Sequence, residues 1–518
     1  MLDAEVMHRR RWFTLVTLCL TLLIVVMDNT ILNVAIPSLV RDLNASTTEL
    51  QWIVDSYTIV FAGLLLTAGS LGDRFGRKRA LTFGMLIFVG GSIASALQHS
   101  ATGLIVTRAL MGFGGAFIMP STLSLLSNVF QDPKERARAF GVWSAVAGIA
   151  VAAGPITGGF LLNHFSWSSV FWINVPVAAI AVAAGRFVVP EFKAENKSSL
   201  DPVGATLSIV GLSVLLFGII QAPEKGWTSP LILGCFVSAV AVVAGFILWE
   251  KRHPDPMLPL RFYRNRRFTA ANIALTIGIF SMFGTLFLLT QYWQLVHGYR
   301  PFAVGVRLIP YGAVMFVVSN MAPRLVERFG TKYVAVTGIT LNSVSFLGMS
   351  FLHVDSSYLR VILNWILTGV GMGLTLAPCT ESIMGSLPRD KAGVGSAVND
   401  TTRQVGGALG VAVIGSVALS TYARHVADGA RQFALTPAQL SETRDGLGNA
   451  INVSADLTAN TATFVDMARH AFMHGLAAGY RIGAATLAVG AVVVWRYLPA
   501  RAEAAALVPT GVATEAAV

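Results

Sequence analysis

Apolar residues in this chain come in long runs separated by short polar stretches, and each run is close to the ~20 residues a helix needs to cross hydrocarbon. Segmentation on that criterion gives about fourteen spans, near 12–36, 50–71, 80–98, 102–127, 139–162, 169–188, 204–220, 230–249, 268–290, 303–322, 333–352, 358–384, 392–418 and 478–497. The first run is too long for the apolar region of a signal peptide, lacks a small-residue cleavage site before Asp28, and is followed by many more spans. It reads as a retained first helix.

The polar connections alternate in charge. Arg9, Arg10 and Arg11 precede the first span; Arg74, Arg77, Lys78 and Arg79 follow the second; Lys134, Arg136 and Arg138 follow the fourth. Lys193 and Lys197, the basic series from Lys251 to Arg267, then Arg324, Arg328 and Lys332, and finally Arg389 and Lys391 continue the alternation, while the intervening connections are nearly empty of Lys and Arg. The positive-inside rule then puts both termini in the cytoplasm, which requires an even number of spans.

A duplication lies under this pattern. GSLGDRFGRK at 69–78 matches PRLVERFGTK at 323–332 in register, and Pro133-Lys134-Glu135-Arg136-Ala137 is echoed by Pro388-Arg389-Asp390-Lys391-Ala392 at almost the same offset. Six spans in each half predict an N-terminal unit over 1–190 and a C-terminal unit over 267–499, with two inserted helices and a basic linker over 191–266. Paired six-helix halves are a secondary-transporter architecture with the substrate cavity between them. The polar segment 421–477 is expected as an extracytoplasmic cap, and 500–518 as a disordered cytoplasmic tail.

Composition changes little but excludes much. With 54% hydrophobic and 13% charged residues and a mean hydropathy of +0.64, the 518-residue chain is an all-α polytopic membrane protein rather than a soluble domain. The net charge of +11 is distributed over loops instead of forming one patch, so nucleic acid is not the expected partner. Cys19, Cys235 and Cys379 lie in separate apolar runs and suggest neither a disulfide nor a metal site. His470 and His474, four residues apart, lack further ligands, and no metal site is expected. No phosphate-binding GxxxxGK[ST] loop occurs, so an ion gradient rather than ATP is the expected energy source, with no cofactor.

Four stretches carry a family resemblance: GSLGDRFGRKRAL at 69–81, RALMGFGGA at 108–116, Gly154-Pro155-Ile156-Thr157-Gly158-Gly159, and MDNTILNVAIP in the first span. Taken in chain order they resemble signatures of the major facilitator superfamily, and within it of the fourteen-span drug:proton antiporter group (DHA2, EmrB/QacA-like). The resemblance implies two six-helix halves plus two central helices, an export direction from the fifth-span signature, and a conformational role for the loop residues. One departure is that no acid occurs in 303–322, where some exporters of multivalent drugs in that group carry one.

Candidate chemistry begins with charges that hydrocarbon penalises. Asp28, Asp55 and Arg108 lie ~12, ~8 and ~9 Å from the outer ends of their helices at 1.5 Å per residue, so all three share a similar depth. An intramembrane acid is by default functional, and a cation beside it favours its charged form while desolvation opposes it. Asp28 or Asp55 is therefore the expected proton and cation site, with Arg108 setting its affinity; a plain structural bridge from Asp55 to Arg108 is the alternative. Asp400 has Arg403 three residues on, which fits an intrahelical pair; by the resemblance it is also an inner drug or proton site. Gly69, Asp73, Arg74, Gly76, Arg77 and Lys78, with Glu327, Arg328 and Gly330 in the repeat, are expected to form a conformational latch. Gly154, Pro155, Gly158 and Gly159 are expected to allow close helix approach and bending. Trp52, Tyr57, Trp143, Trp365, Met119 and Met372 could line an apolar cavity, though Trp and Tyr also anchor helix ends at membrane interfaces.

The expectation is thus a monomeric, proton-coupled exporter of lipophilic, cationic drugs in the bacterial inner membrane, and not an enzyme. A dedicated exporter of one metabolite, antibiotic or lipid has the same motifs. An importer leaves the fifth-span signature unexplained, and a receptor does not need Asp28.

Overall fold

The computed structural model describes residues 4–43, 47–193, 201–254, 256, 258, 260–388, 391–457 and 460–500. Without water in the bilayer core each apolar run must close its own backbone hydrogen bonds, and a helix does so. The chain accordingly runs α1 (Ala4–Leu43), α2 (Thr47–Phe75), α3 (Arg77–Ala96), α4 (Ala101–Val129), α5 (Pro133–His164), a short α6 (Ser169–Trp172) leading into α7 (Asn174–Val188), α8 (Pro202–Lys225) and α9 (Pro230–Arg252). A 3₁₀ turn (Leu260–Arg264) leads to α10 (Arg266–Gln291), which ends in a π-helical turn (Tyr292–Val296). There follow α11 (Pro301–Phe329), α12 (Thr331–Met349), α13 (Tyr358–Gly385), α14 (Ala392–Ala430), α15 (Pro437–Arg444), α16 (Leu447–Ala455) and α17 (Thr461–Tyr497).

Every expected span falls on a helix. Among the described residues thirteen helical stretches are long and apolar enough to cross a membrane; the other expected span, 333–352, is α12, 19 residues long and interrupted by Asn342, Ser343 and Ser345. Starts follow local chemistry: Asp132 accepts hydrogen bonds from the backbone of Lys134 and Glu135 ahead of Pro133, and Ser229 caps α9 ahead of Pro230. Between α2 and α3 the chain turns at Gly76 with φ +113°, and between α11 and α12 at Gly330 with φ +88°, conformations that side chains disfavour.

Buried apolar side chains form two clusters. One runs from Leu15 to Leu216 and reaches across to Met384 and Ala392; the other runs from Phe246 to Leu498 and takes in Leu66. α5 and α11 pack along a seam with glycines at both ends: a methyl group placed on Gly141 would lie 2.9 Å from the Ser319 carbonyl, and one on Gly159 2.9 Å from Phe302 Cα. Small residues let the two backbones touch.

Residues 421–477, expected as a polar cap, are largely helical. α14 continues unbroken to Ala430, and Leu447, Ala450, Val453 and Phe464 are buried in the C-terminal cluster, with the Tyr422 hydroxyl donating to Thr443 O at 2.9 Å. The expected disordered tail (501–518) and the loop residues Lys197, Arg389 and Asp390 lie outside the described residues.

Candidate functional site

Asp28 and Arg108 meet in the interior. Arg108 Nη1 donates to Asp28 Oδ2 at 2.5 Å, and each side chain is 1% exposed. The other carboxylate oxygen accepts from Asn174 Nδ2 at 3.0 Å; that amide also lies 3.1 Å from Ser92 Oγ, which in turn donates to Phe171 O. Arg108 Nε donates to Ile53 O at 3.2 Å, and its guanidinium carbon stands 4.4 Å from the Tyr57 ring centre. Five helices, α1 to α4 and α7, therefore converge on one compensated ion pair. Burying both charges costs several kcal/mol per ion, which only this density of partners offsets. Asp55 is also buried, at 7% exposure, on α2; the cation at its depth is held by Asp28 rather than bridging to it alone.

The network abuts the seam. A methyl group on Gly154 would collide with Thr30 Oγ1 and lie 3.0 Å from Ile31 N, and one on Gly158 would lie 2.8 Å from Ile31 Cγ1. On the opposite face, a methyl on Gly305 of α11 would lie 2.8 Å from Ile156 N and 3.0 Å from the Pro155 carbonyl carbon. The Gly154 to Gly159 stretch thus sits between the backbone just after Asp28 and the facing helix of the C-terminal cluster.

Asp400 on α14 is buried, and neither carboxylate oxygen has a hydrogen-bond partner among the described residues. Arg403 Nη1 is 3.9 Å away, too long for a hydrogen bond, and the guanidinium lies 5.1 Å from the ring of Trp143 on α5. The intrahelical pair is present, but its cation also reaches across to α5. Neighbouring polar contacts join Thr402 to Asn272 of α10 (3.0 Å) and Thr380 to Asn399 (3.4 Å).

The loop residues assemble at the α2–α3 turn. Arg77 pairs with Asp73 and donates to Gly69 O at 2.9 Å. A methyl group on Gly69 would lie 2.8 Å from Gly393 O and 2.8 Å from Ala397 Cβ, and one on Gly393 would overlap the Arg77 guanidinium. The start of α14 is therefore seated against this turn. Lys78 N donates to Glu191 Oε1 (3.0 Å) and Lys78 Nζ to Arg186 O (2.8 Å), while Arg74 lies at the edge, 5.7 Å from the Phe75 ring. The repeat does not reproduce the cluster: Glu327 and Arg328 are exposed beside Gly330, and Thr331 stands where Arg77 stands in the first copy.

Sequence reasoning missed Asn174, Ser92 and the role of Tyr57 as a face for Arg108. A lone amide inside the apolar run 169–188 was the available signal for Asn174. Among the described residues no group of three or more His, Cys, Asp or Glu side chains could hold a metal ion. His425 of α14 and His474 of α17 stack with ring centres 4.4 Å apart.

Comparison with known proteins matches residues 18–411 to the Major Facilitator Superfamily. The tetracenomycin C resistance and export protein of Streptomyces glaucescens is 37% identical over 413 residues, 80% of this chain and 77% of its own. The multidrug efflux pump LfrA of Mycolicibacterium smegmatis is 34% identical over 94% of this chain and 96% of its own, and the methyl viologen resistance protein SmvA of Salmonella typhimurium 31% over 94% and 98%. Among solved structures, the human organic anion transporter MFSD10 superposes with a TM-score of 0.62 over 93% of this chain and 99% of that one at 12% identity, a likeness of fold.

Proposed function

We propose, for a chain that belongs to the major facilitator superfamily and so to a family of carriers rather than enzymes, that it is a proton-coupled exporter of lipophilic cations of the fourteen-span DHA2 kind. Resistance and efflux proteins among its relatives support the export of drug-like compounds. The observation that carries proton coupling is the buried Asp28–Arg108 pair with its Asn174 contact. A proton reaching Asp28 from outside removes the charge that holds Arg108, and loss of that proton restores it. Two charge states of one buried site, with different partners, are what an alternating cycle requires.

In this reading the halves 1–190 and 267–499 rock about the α5–α11 seam, with the inserted helices at 191–266 riding between them. Arg77 seated against Gly393 closes the cytoplasmic end, Asp400 with Arg403 and Trp143 forms an inner substrate site, and both termini face the cytoplasm of a bacterial inner membrane. The transporter works as a monomer. One proton moving down roughly 150 mV supplies ~3.5 kcal/mol, enough for about two to three decades of substrate gradient.

Proteoliposomes with an imposed pH gradient test this directly. Ethidium or tetraphenylphosphonium should trigger proton movement in the wild type and not in Asp28→Asn. Undiminished coupling in that variant would refute the assignment. A narrower reading, one endogenous metabolite, antibiotic or lipid as substrate, is favoured by the relative named for tetracenomycin C resistance and export; it predicts no response to either cation and a response to tetracenomycin C or another single compound.

A further inference from the structure

The inserted helices hold a carboxyl pair that the transport reading does not use. Asp201 is the N-cap of α8, 8% exposed, and Glu250 lies two residues from the end of α9, 3% exposed. Asp201 is held as an anion by two donors: Oδ1 accepts from Gly204 N at 2.8 Å, and Trp249 Nε1 lies 2.9 and 3.0 Å from its two oxygens. Glu250 differs. Its Oε2 accepts from Leu258 N at 3.0 Å, but Oε1 is buried with no hydrogen-bond partner among the described residues. That oxygen points at the first turn of α8, where a methyl group on Gly204 would lie 3.0 Å from Glu250 Oε1 and would also meet Asp201 Oδ2.

Two buried carboxylates in such proximity repel, and like charges sharing a site take up one proton between them. The donor count says where it sits. Two donors, Gly204 N and Trp249 Nε1, are directed at Asp201, whereas Glu250 Oε1 has none among the described residues. We propose that Glu250 and Asp201 form a proton-binding site at this end of the inserted helices, in which neutral Glu250 donates from Oε1 to ionised Asp201. The bound proton comes from water on that side, and no electrons move.

The site fastens the α9–α10 connection. Leu258, held through its backbone by Glu250, and Phe262 belong with Phe246 to the C-terminal apolar cluster. Loss of the proton leaves two facing anions under that connection and loosens it. Among the described residues, His253 at the end of α9 and Lys391 at the start of α14 also act on Glu250 through their charge. The pair stands apart from Asp28 and does not depend on the direction or substrate of transport.

Infrared difference spectroscopy and amide exchange on the full-length protein in lipid nanodiscs test it. At neutral pH the wild type should show a protonated-carboxyl C=O band that Glu250→Gln removes. As pH is raised until that band disappears, protection of the Leu258 amide, corrected for intrinsic exchange, should fall by about tenfold; in Glu250→Gln it should stay constant. Asp201→Asn gives an independent arm: its amide can donate to Glu250 Oε1, so the band should vanish at neutral pH while Leu258 stays protected. Absence of a band sensitive to Glu250→Gln overturns the proposal, as does wild-type pH dependence surviving in that variant. Loss of Leu258 protection in Lys391→Gln at neutral pH also overturns it, because Glu250 would then be held as an ion.

Discussion

Splitting the Asp28–Arg108 pair should cost far more than removing it whole. In Arg108→Met the carboxylate keeps Asn174 but loses its only charged partner in the network at 2.5 Å. The carboxylate is then an uncompensated buried charge, and removing one partner of a buried pair costs ~3–5 kcal/mol. That figure bounds the damage. Asp28→Asn strands the arginine instead, but Ile53 O and the Tyr57 face remain, and a desolvated cation–π contact contributes ~2 kcal/mol; a net loss of about 1–3 kcal/mol follows from the ~3–5 kcal/mol typical of a broken buried pair. The double variant leaves no charge and should lose less than either single one, giving a coupling of ~3 kcal/mol or more. Reversible unfolding in mixed micelles, followed by tryptophan fluorescence, measures all four proteins. Additive single effects would refute the reasoning that this pair is held by mutual charge compensation.

Other outcomes follow from the same structure. Gly393→Leu places a side chain where the Arg77 guanidinium lies, so cross-linking between Cys pairs introduced in α2 and α14 should drop by about half or more while the protein still inserts; unchanged cross-linking removes Arg77 from the contact. Gly154→Leu collides with Thr30 on the segment carrying Asp28, so unfolding should show a loss of ~1–3 kcal/mol, the usual range for overpacking, together with loss of coupled transport. His297, between the rings of Tyr292 and Tyr299, is pushed below its ordinary value by burial and then by Arg469, with Arg307 adding to that and Asp355 opposing it. A depressed histidine favours the fold above its solution value of ~6.5 and loses that contribution as pH falls through its folded value. The acid side of the melting-temperature profile should therefore flatten in His297→Gln, and an unaltered profile would count against burial of this ring.

The fold was legible because hydrocarbon imposes one rule on every span, and thirteen of the helices among the described residues are long and apolar enough to meet it. The polar remainder was less so. Residues 421–430 read as part of a separate polar cap, yet they continue α14, since a helical turn in water needs no apolar signal. In the site, Asp28, Asp55 and Arg108 stood out as charges at one depth. Depth alone leaves helix rotation undetermined, and rotation decides that Arg108 rests on Asp28. Asn174 drew no attention because a neutral amide is a small anomaly until its partner is known. The repeat misled in the opposite way: GSLGDRFGRK and PRLVERFGTK match in register, but Thr331 lacks the guanidinium that ties Asp73 and Gly69 together in the first copy. Glu250, one residue past an apolar run, carries no sequence signal that sets it apart, and its burial distinguishes it.

The unbroken length of α14 has a mechanical consequence. Its 39 residues extend ~58 Å at 1.5 Å per residue, nearly twice the ~30 Å hydrocarbon thickness. The same helix begins under Arg77, carries Asp400 and Arg403, and ends beside α15 and α16. With no proline along its length, it carries a tilt set at its start to its far end. A fluorophore placed on α15 would then read the position of the α2–α3 turn from the opposite end of α14.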